Sequence, residues 1–368
     1  MKNKVSLTIY TISHMVVDFS CFFILMGTFS KSIEDLMTIS FGFFTYNTIA
    51  FGLQMFIGYF VDQHAIDHSK VALGGCFLVC LGVLFGFCSW NFAPWLSIVL
   101  CALGNASFHI GGGINSLVYS DGKMARGGVF VSSGAIGVSL GTVAGRSGFP
   151  SWIVIILLLS CLGTIYFLCS SEKNKIIAKL KQINISKPMI TKVSIIVYLC
   201  LISIVVRSFV GFQIPILWKT NTFLFILPSI CAFAGKLSGG FLADRFGAKN
   251  VGVTSLLVSI PFLCLFYNNV LLCVVGLVAF NITMSITLLG VAIQLPNQPG
   301  FAFGLTTLAL LAGNVPTFFF ILPEKLVSIV LPILIIISAI CIFFAIENRK
   351  GRGYYVKEIH EKPKKLSL

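Results

Sequence analysis

Long apolar runs alternate with short polar breaks along almost the whole chain. Twelve runs approach or exceed the length at which about twenty apolar residues span a bilayer as a helix. They fall near 5–29, 36–61, 70–90, 94–119, 126–146, 149–171, 193–217, 222–243, 250–268, 270–292, 300–322 and 325–347. The pattern predicts an all-α membrane protein with twelve transmembrane helices. One break is longer than the rest: Glu172 to Lys192, EKNKIIAKLKQINISKPMITK. It is basic and lies at mid-chain, so it reads as a linker between six-helix halves at 1–171 and 193–347. Its IIAKLKQI core suits a short amphipathic helix on a membrane surface. A basic tail follows at 348–368.

Two of the polar breaks are related. GGFLADRFGAKN, Gly239 to Asn250, joins the eighth and ninth runs, and GYFVDQHAIDHSK, Gly58 to Lys70, joins the second and third. Both place Gly four residues before Asp: Gly58 and Asp62, Gly240 and Asp244. The aspartates are 182 residues apart in a chain of 368, close to half its length. A motif repeated at that offset implies two pseudo-symmetric halves. In the stronger copy, Gly240 admits a close neighbour helix. Asp244 can meet the positive N-terminus of an adjacent helix or pair with nearby basic groups. Gly247 permits a tight reversal. Arg245 and Lys249 suit an anionic membrane surface. The loop therefore reads as a gate that breaks and re-forms.

Composition excludes a soluble domain: 57% of residues are hydrophobic, 10% are charged, and mean hydropathy is +0.97. The net charge of +14 would suit nucleic acid if it were clustered on a folded surface. It is not. Twenty of the 26 Lys and Arg fall on the side of the membrane that holds both termini, four fall on the other side, and Arg207 and Lys236 lie within spans. That asymmetry places both termini and the linker in the cytoplasm, assigns the basic excess to topology and lipid headgroups, and excludes a nucleic-acid partner. The first apolar run has no small-residue cleavage site and reads as a retained span. Twelve cysteines are scattered singly without zinc spacing, so no metal or other cofactor is expected. In HAIDH, His64 and His68 stand four apart but lack a third ligand, and a solvated loop is the preferred reading.

Ionisable groups within spans are functional candidates because burial makes them costly. His14 and Asp18 are four apart on one helix face. A desolvated Asp can hold a proton and a His exchanges one near neutral pH, so the pair is a candidate proton site. The competing reading is a buried pair that only orients helices. His109 precedes three glycines, Gly111 to Gly113 after Ile110, that would loosen the fourth span and free carbonyls for substrate or ion. Arg207 is permanently charged and needs an anion, either a substrate group or Asp18. Lys236 is close enough to the second motif loop to snorkel to the surface. Arg146, near a span end, is either an interface anchor or a cavity residue. Gly134, Gly137, Gly141 and Gly145 line one face of the fifth span, where a partner helix can pack closely. Pro215, Pro228, Pro261 and Pro316 lie in or near span ends and can kink them.

Gly240, Leu242, Ala243, Asp244, Arg245, Gly247 and Lys249 resemble the loop signature of the major facilitator superfamily, whose members have two parallel six-helix halves. Other stretches are similar to its fosmidomycin-resistance-like branch: SHMVVDFSCFFILMG from Ser13, ASFHIGGG from Ala106, RGGVFVSSGAIGVSLGTVAG from Arg126 and VVRSFVGFQIPILW from Val205. The chain departs from that branch at Ile110 and Gly111, where a Pro and an acidic residue are usual. It also departs in the fifth span, which lacks the usual Pro. The missing acid removes one candidate proton carrier. The resemblance implies alternating access; the residues' own chemistry makes Asp18, His14 and His109 the candidate proton-coupling groups and Arg207, His109 and Asp18 the candidate substrate contacts. The resemblance also implies a monomeric drug-resistance antiporter of the bacterial inner membrane that exports a small drug-like or anionic compound against proton entry. Uptake of a small organic acid or nutrient is the alternative. No nucleophile, metal site or acid pair points to a membrane enzyme.

Overall fold

The computed structural model of the chain describes residues 2–120, 122–169 and 190–347. The tail from 348 and all but the last three residues of the Glu172–Lys192 linker lie outside them. Among the described residues the structure is all-α, without a strand. Twelve helices carry it: α1 (Lys4–Ser32), α2 (Leu36–Gln63), α3 (His68–Phe85), α4 (Ala93–Val118), α5 (Met124–Ser147), α6 (Ser151–Cys169), α7 (Ile190–Gln213), α8 (Thr222–Phe246), α9 (Ala248–Cys264), α10 (Val270–Gln294), α11 (Pro299–Phe318) and α12 (Glu324–Ala345). All but α9 are long and apolar enough to cross a membrane. The apolar runs and the helices therefore correspond one to one.

Helix ends follow local chemistry. Asp35, Asn221 and Asn269 each accept the backbone N–H three residues on and so cap α2, α8 and α10. Asp67 caps α3 by accepting from Ser69 N at 3.0 Å. That cap starts α3 at His68, which is buried rather than part of a solvated loop. His68 Nε2 stands 3.3 Å from Asn115 Nδ2 of α4, whereas His64 is exposed and lies beside the Phe60 carbonyl. At its other end α3 stops at Phe85, short of the expected 90, where Gly86 closes it. Pro228 and Pro261 lie inside α8 and α9, and Pro316 sits in the 3₁₀ turn that ends α11.

The same helix pairs pack six helices apart. α1 packs on α4, α5 and α6, and α7 packs on α10, α11 and α12. α3 packs on α4 and α6, and α9 on α10 and α12. The two sets meet mainly along α2 with α11 and α5 with α8. Further contacts of α4 with α11 and of α5 with α10 close the bundle toward the end that carries Asp62 and Asp244.

Candidate functional site

The glycine face of α5 sets the geometry of the site. It lies against α1 along its length: a Cβ on Gly145 would stand 2.6 Å from the Phe23 carbonyl, and one on Gly134 only 2.6 Å from His14 Nε2. Without side chains, α5 lets α1 turn His14 and Asp18 inward, where both are buried. From α4, His109 and Asn105 reach the same point.

Asp18 is the hub. Its Oδ1 accepts from Asn105 Nδ2 at 2.7 Å, and its Oδ2 faces His14 Nε2 at 3.2 Å. His109 Nε2 stands 3.8 Å from Oδ1, too far for a hydrogen bond but close enough to act as a charge partner. Each imidazole is oriented from its far side. His14 Nδ1 lies 2.9 Å from the Phe130 carbonyl, and His109 Nδ1 lies 2.9 Å from the Asn105 carbonyl. The Asn105 carbonyl only accepts, so in a neutral His109 the proton sits on Nδ1. His14 Nδ1 also has Ser133 Oγ at 3.2 Å, which can donate to it, so a neutral His14 can carry its proton on either nitrogen. The His109 Nε2 lone pair then points toward the Asp18 carboxylate, and His14 Nε2 meets it either as a donor or as a second lone pair. In a protonated His14 both nitrogens donate, and its contact with the Asp18 carboxylate is then an ion pair. The His14 ring also stacks on Phe130 and meets His109 edge-on, which fixes its plane. His14, Asp18 and His109 each bring a ligand-type atom within 4.8 Å of the others, so the cluster could also accept a divalent cation. That possibility was not expected from the sequence.

The cluster lines a cavity of about 180 Å³ between the two sets of helices, with Ile204, Lys236, Met284, Thr287, Phe303 and Leu310 on the facing wall. A larger cavity of about 490 Å³ adjoins it and is lined by Arg207, Ser208, Lys236, Asn281 and Asn314, among others. It reaches Ile216 and Lys219 in the loop after α7, at the end opposite Asp62 and Asp244. Phe51, Lys236, Met284 and Leu310 line both cavities.

Three expectations change. Arg207 does not pair with Asp18. Its guanidinium donates to Thr287 Oγ1 at 3.0 Å, and its Nε has no hydrogen-bond partner. The two residues line different cavities, and Asn105 and the histidines already surround the carboxylate. Lys236 does not snorkel. Ten residues of α8 separate it from Phe246, about 15 Å at 1.5 Å per residue, beyond a lysine's reach. The glycines after His109 do not loosen α4, which is unbroken from Ala93 to Val118. They are contact points instead: Gly111 faces α3, Gly112 the Phe130 ring and Gly113 the Phe303 ring. Arg146 is exposed and lies over the Phe225 ring, outside both cavities.

No protein-family model matches the sequence, and no curated protein matches it. Solved structures do match in shape. A variant of the Escherichia coli fucose:proton symporter FucP superposes with a TM-score of 0.66 at 12% identity, covering 94% of this chain and 99% of that one. FucP in its outward conformation gives 0.64 at 13% identity over 94% and 98%. The human organic anion transporter MFSD10 (TETRAN) gives 0.63 at 14% identity over 94% and 99%. The chain has the major facilitator fold. With its spans of membrane length, it is an integral membrane protein. These likenesses bear on the fold and not on the fosmidomycin-resistance-like branch.

Within the major facilitator fold, the two related loops make equivalent contacts. Asp62 accepts from Gly300 N at 3.1 Å and Phe301 N at 2.8 Å, at the N-terminus of α11. Asp244 accepts from Met124 N at 2.9 Å and Ala125 N at 3.0 Å, at the N-terminus of α5. Each carboxylate thus satisfies two otherwise orphan N–H groups and faces a positive helix end. Gly58 and Gly240 allow it by lying against the backbone of Gly300 and of Met124. Gly247 turns the chain with φ +94°. Arg245 and Lys249 lie over the rings of Phe246 and Phe343 and make no ion pair with Asp244.

Asn105, Thr287 and Ser133, whose Oγ stands 3.2 Å from His14 Nδ1, complete the site and were not singled out from the sequence. Asn105 had a signal: it stands one helical turn before His109. Thr287 had none, because nothing in an apolar span says which polar residue turns toward an arginine.

Proposed function

We propose that the chain is a secondary active transporter that works by alternating access and is driven by protons. Residues 1–171 and 193–347 act as its two moving halves. His14, Asp18 and His109 hold the driving proton. Asp62 and Asp244, with Gly240, Arg245, Gly247 and Lys249, form the gates at the cytoplasmic end. Both termini are cytoplasmic, the host membrane is a bacterial inner membrane, and the working unit is a monomer. The cargo is a small drug-like or anionic compound, contacted by Arg207, His109 and Asp18.

The observation that carries this reading is the buried cluster itself: His14 Nε2 against Asp18 Oδ2 at 3.2 Å, with His109 Nε2 3.8 Å from Oδ1. These three groups can share an added proton. The cluster borders the cavity, so a proton there is within electrostatic reach of cargo. The contacts near Asp62 and Asp244 and the cavity reaching Lys219 support an outward-facing state. Export was implied by the branch resemblance alone. Uptake on the same fold is the alternative.

The test is transport in proteoliposomes under an imposed pH gradient, against phosphonates, organic acids and amphipathic drugs. The proposal expects uphill flux of at least one compound in the wild type. It expects Asp18→Asn to lose uphill flux while keeping exchange down a gradient. Uphill flux that follows a divalent-cation gradient and ignores pH would contradict it.

A further inference from the structure

The larger cavity holds an electrostatic imbalance that the proton site does not explain. Arg207 is 6% exposed, yet its only hydrogen bond among the described residues is to neutral Thr287. Its Nε is buried without a partner. One helix away, Lys236 lines both cavities, and no carboxylate pairs with either cation among the described residues. Two cations without a carboxylate partner, Arg207 buried and Lys236 half-buried in the cavity wall, are costly within a span. They fit a site whose anion arrives with the cargo.

The cavity walls describe the rest of that cargo. Beyond Lys236 the smaller cavity is lined by Phe51, Val138, Ile204, Met284, Phe303 and Leu310. An apolar ring or short chain fits there, with its acid group turned back toward Lys236 and Arg207. Asn281, Ser208 and Asn314, on the wall of the larger cavity, offer further hydrogen bonds.

Lys236 also joins this site to the proton site. It lies within electrostatic range of Asp18 on one side and Arg207 on the other. The groups facing Asp18 are His14 on α1, Asn105 and His109 on α4, Tyr46 on α2 and Lys236 on α8. With the proton off, the Asp18 carboxylate offsets one of the two cations. With the proton on, both cations face the cavity uncompensated. An anion therefore binds better to the protonated site, and by linkage the proton binds better when the anion is present. Two ligands that favour each other travel together.

We propose that the cargo is a small monoanion with an apolar body, a carboxylate or phosphonate held by Arg207 and Lys236, and that it moves with the proton as a symport rather than against it. This rests on the proton reading of Asp18.

The test is calorimetric titration of the detergent-purified protein with benzoate, in two buffers of different ionisation heat so that protons exchanged are counted. Benzylamine, the same ring with the opposite charge, is the control. Benzoate should bind with proton uptake, and its affinity should rise roughly tenfold as the pH falls by about two units. Lys236→Gln should weaken benzoate about tenfold or more, and Lys236→Arg should keep most of the affinity. Arg207→Gln should weaken it further. If that variant fails to fold, Lys236→Gln, which keeps Arg207, still decides. Proton release on binding, a preference for benzylamine, or equal benzoate affinity in Lys236→Gln would each overturn the proposal. Asp18→Asn separates this failure from that of the proton site. Because Asp18 also contacts the cargo, the readout is the proton count and not the affinity: benzoate bound to this variant should take up no proton. Uptake that persists in Asp18→Asn would displace the proton from Asp18 while leaving the anion contacts standing.

Discussion

His14 Nε2 faces Asp18 Oδ2 at 3.2 Å, while the other nitrogen of the same ring lies 2.9 Å from the Phe130 carbonyl and 3.2 Å from Ser133 Oγ. The helices around this contact explain why it exists. α5 presents glycine where any side chain would enter the space between the two groups, and α4 supplies the amide that steadies the carboxylate. The pair is therefore a product of tertiary packing, on a helix face that the four-residue spacing already marks.

Gly134→Ala should disturb it directly. The added methyl would stand 2.6 Å from His14 Nε2 and closer still to the Asp18 carboxylate, so α1 and α5 must part. We expect a loss of about 1–3 kcal/mol of stability and of proton-driven transport. Gly127→Ala on the same helix is the control, because a Cβ there meets nothing within 4 Å. Thermal unfolding in detergent and flux in proteoliposomes measure the two effects. Equal behaviour of the two variants would contradict the packing account.

Asp62→Asn and Asp244→Asn should act alike, because each carboxylate holds two N–H groups at a helix start. An amide keeps one acceptor and loses the charge, removing about 0.3–1 kcal/mol of interaction with the helix end. The fold should survive, and transport should slow as closure at that end weakens. Stopped-flow or filter-assay flux, with folded yield measured in parallel, checks this. Unchanged flux in both variants would remove the gates.

Arg207 and Asp18 should be energetically independent. A direct ion pair would give a large interaction energy in a double-mutant cycle. Their separate partners, Thr287 for one and Asn105 with His14 for the other, predict coupling below about 0.5 kcal/mol. The cycle uses Asp18→Asn and Arg207→Gln in chemical unfolding. A coupling of several kcal/mol would restore the pairing that the sequence suggests.

Orientation is tested by labelling. In a background lacking Cys88, a cysteine at Thr220, in the loop after α7, should react with an impermeant reagent added outside intact cells. One at His64, an exposed position beside Asp62, should react only after lysis. The reverse pattern would invert the topology and the basic asymmetry behind it.

Much of the fold is legible in the sequence because it depends on one variable, apolar length. The runs mark all twelve helices, and the half-length offset of Asp62 and Asp244 marks the repeat. Asp18 and His14 are visible because charge inside a span is rare. What stays hidden is the rotation of each helix about its axis. Lys236 reads as a snorkelling residue until α8 is seen to continue to Phe246. The Asp18–Arg207 pair is plausible from two spans until Asn105 is seen to hold the carboxylate. Gly111 to Gly113 read as a weak helix until three neighbours are seen pressed against them. Facing partners decide all three cases, and no single helix carries that information.

The central claim is that Asp18 receives a proton within the working pH range. Infrared difference spectroscopy of the purified protein reads this without any cargo, because a protonated buried carboxyl group has its own carbonyl band. The account predicts a band that grows as the pH falls through the range of transport, shifts in His14→Gln and vanishes in Asp18→Asn. A band that persists unchanged in Asp18→Asn, or a carboxylate that stays ionised throughout that range in folded wild-type protein, would contradict it.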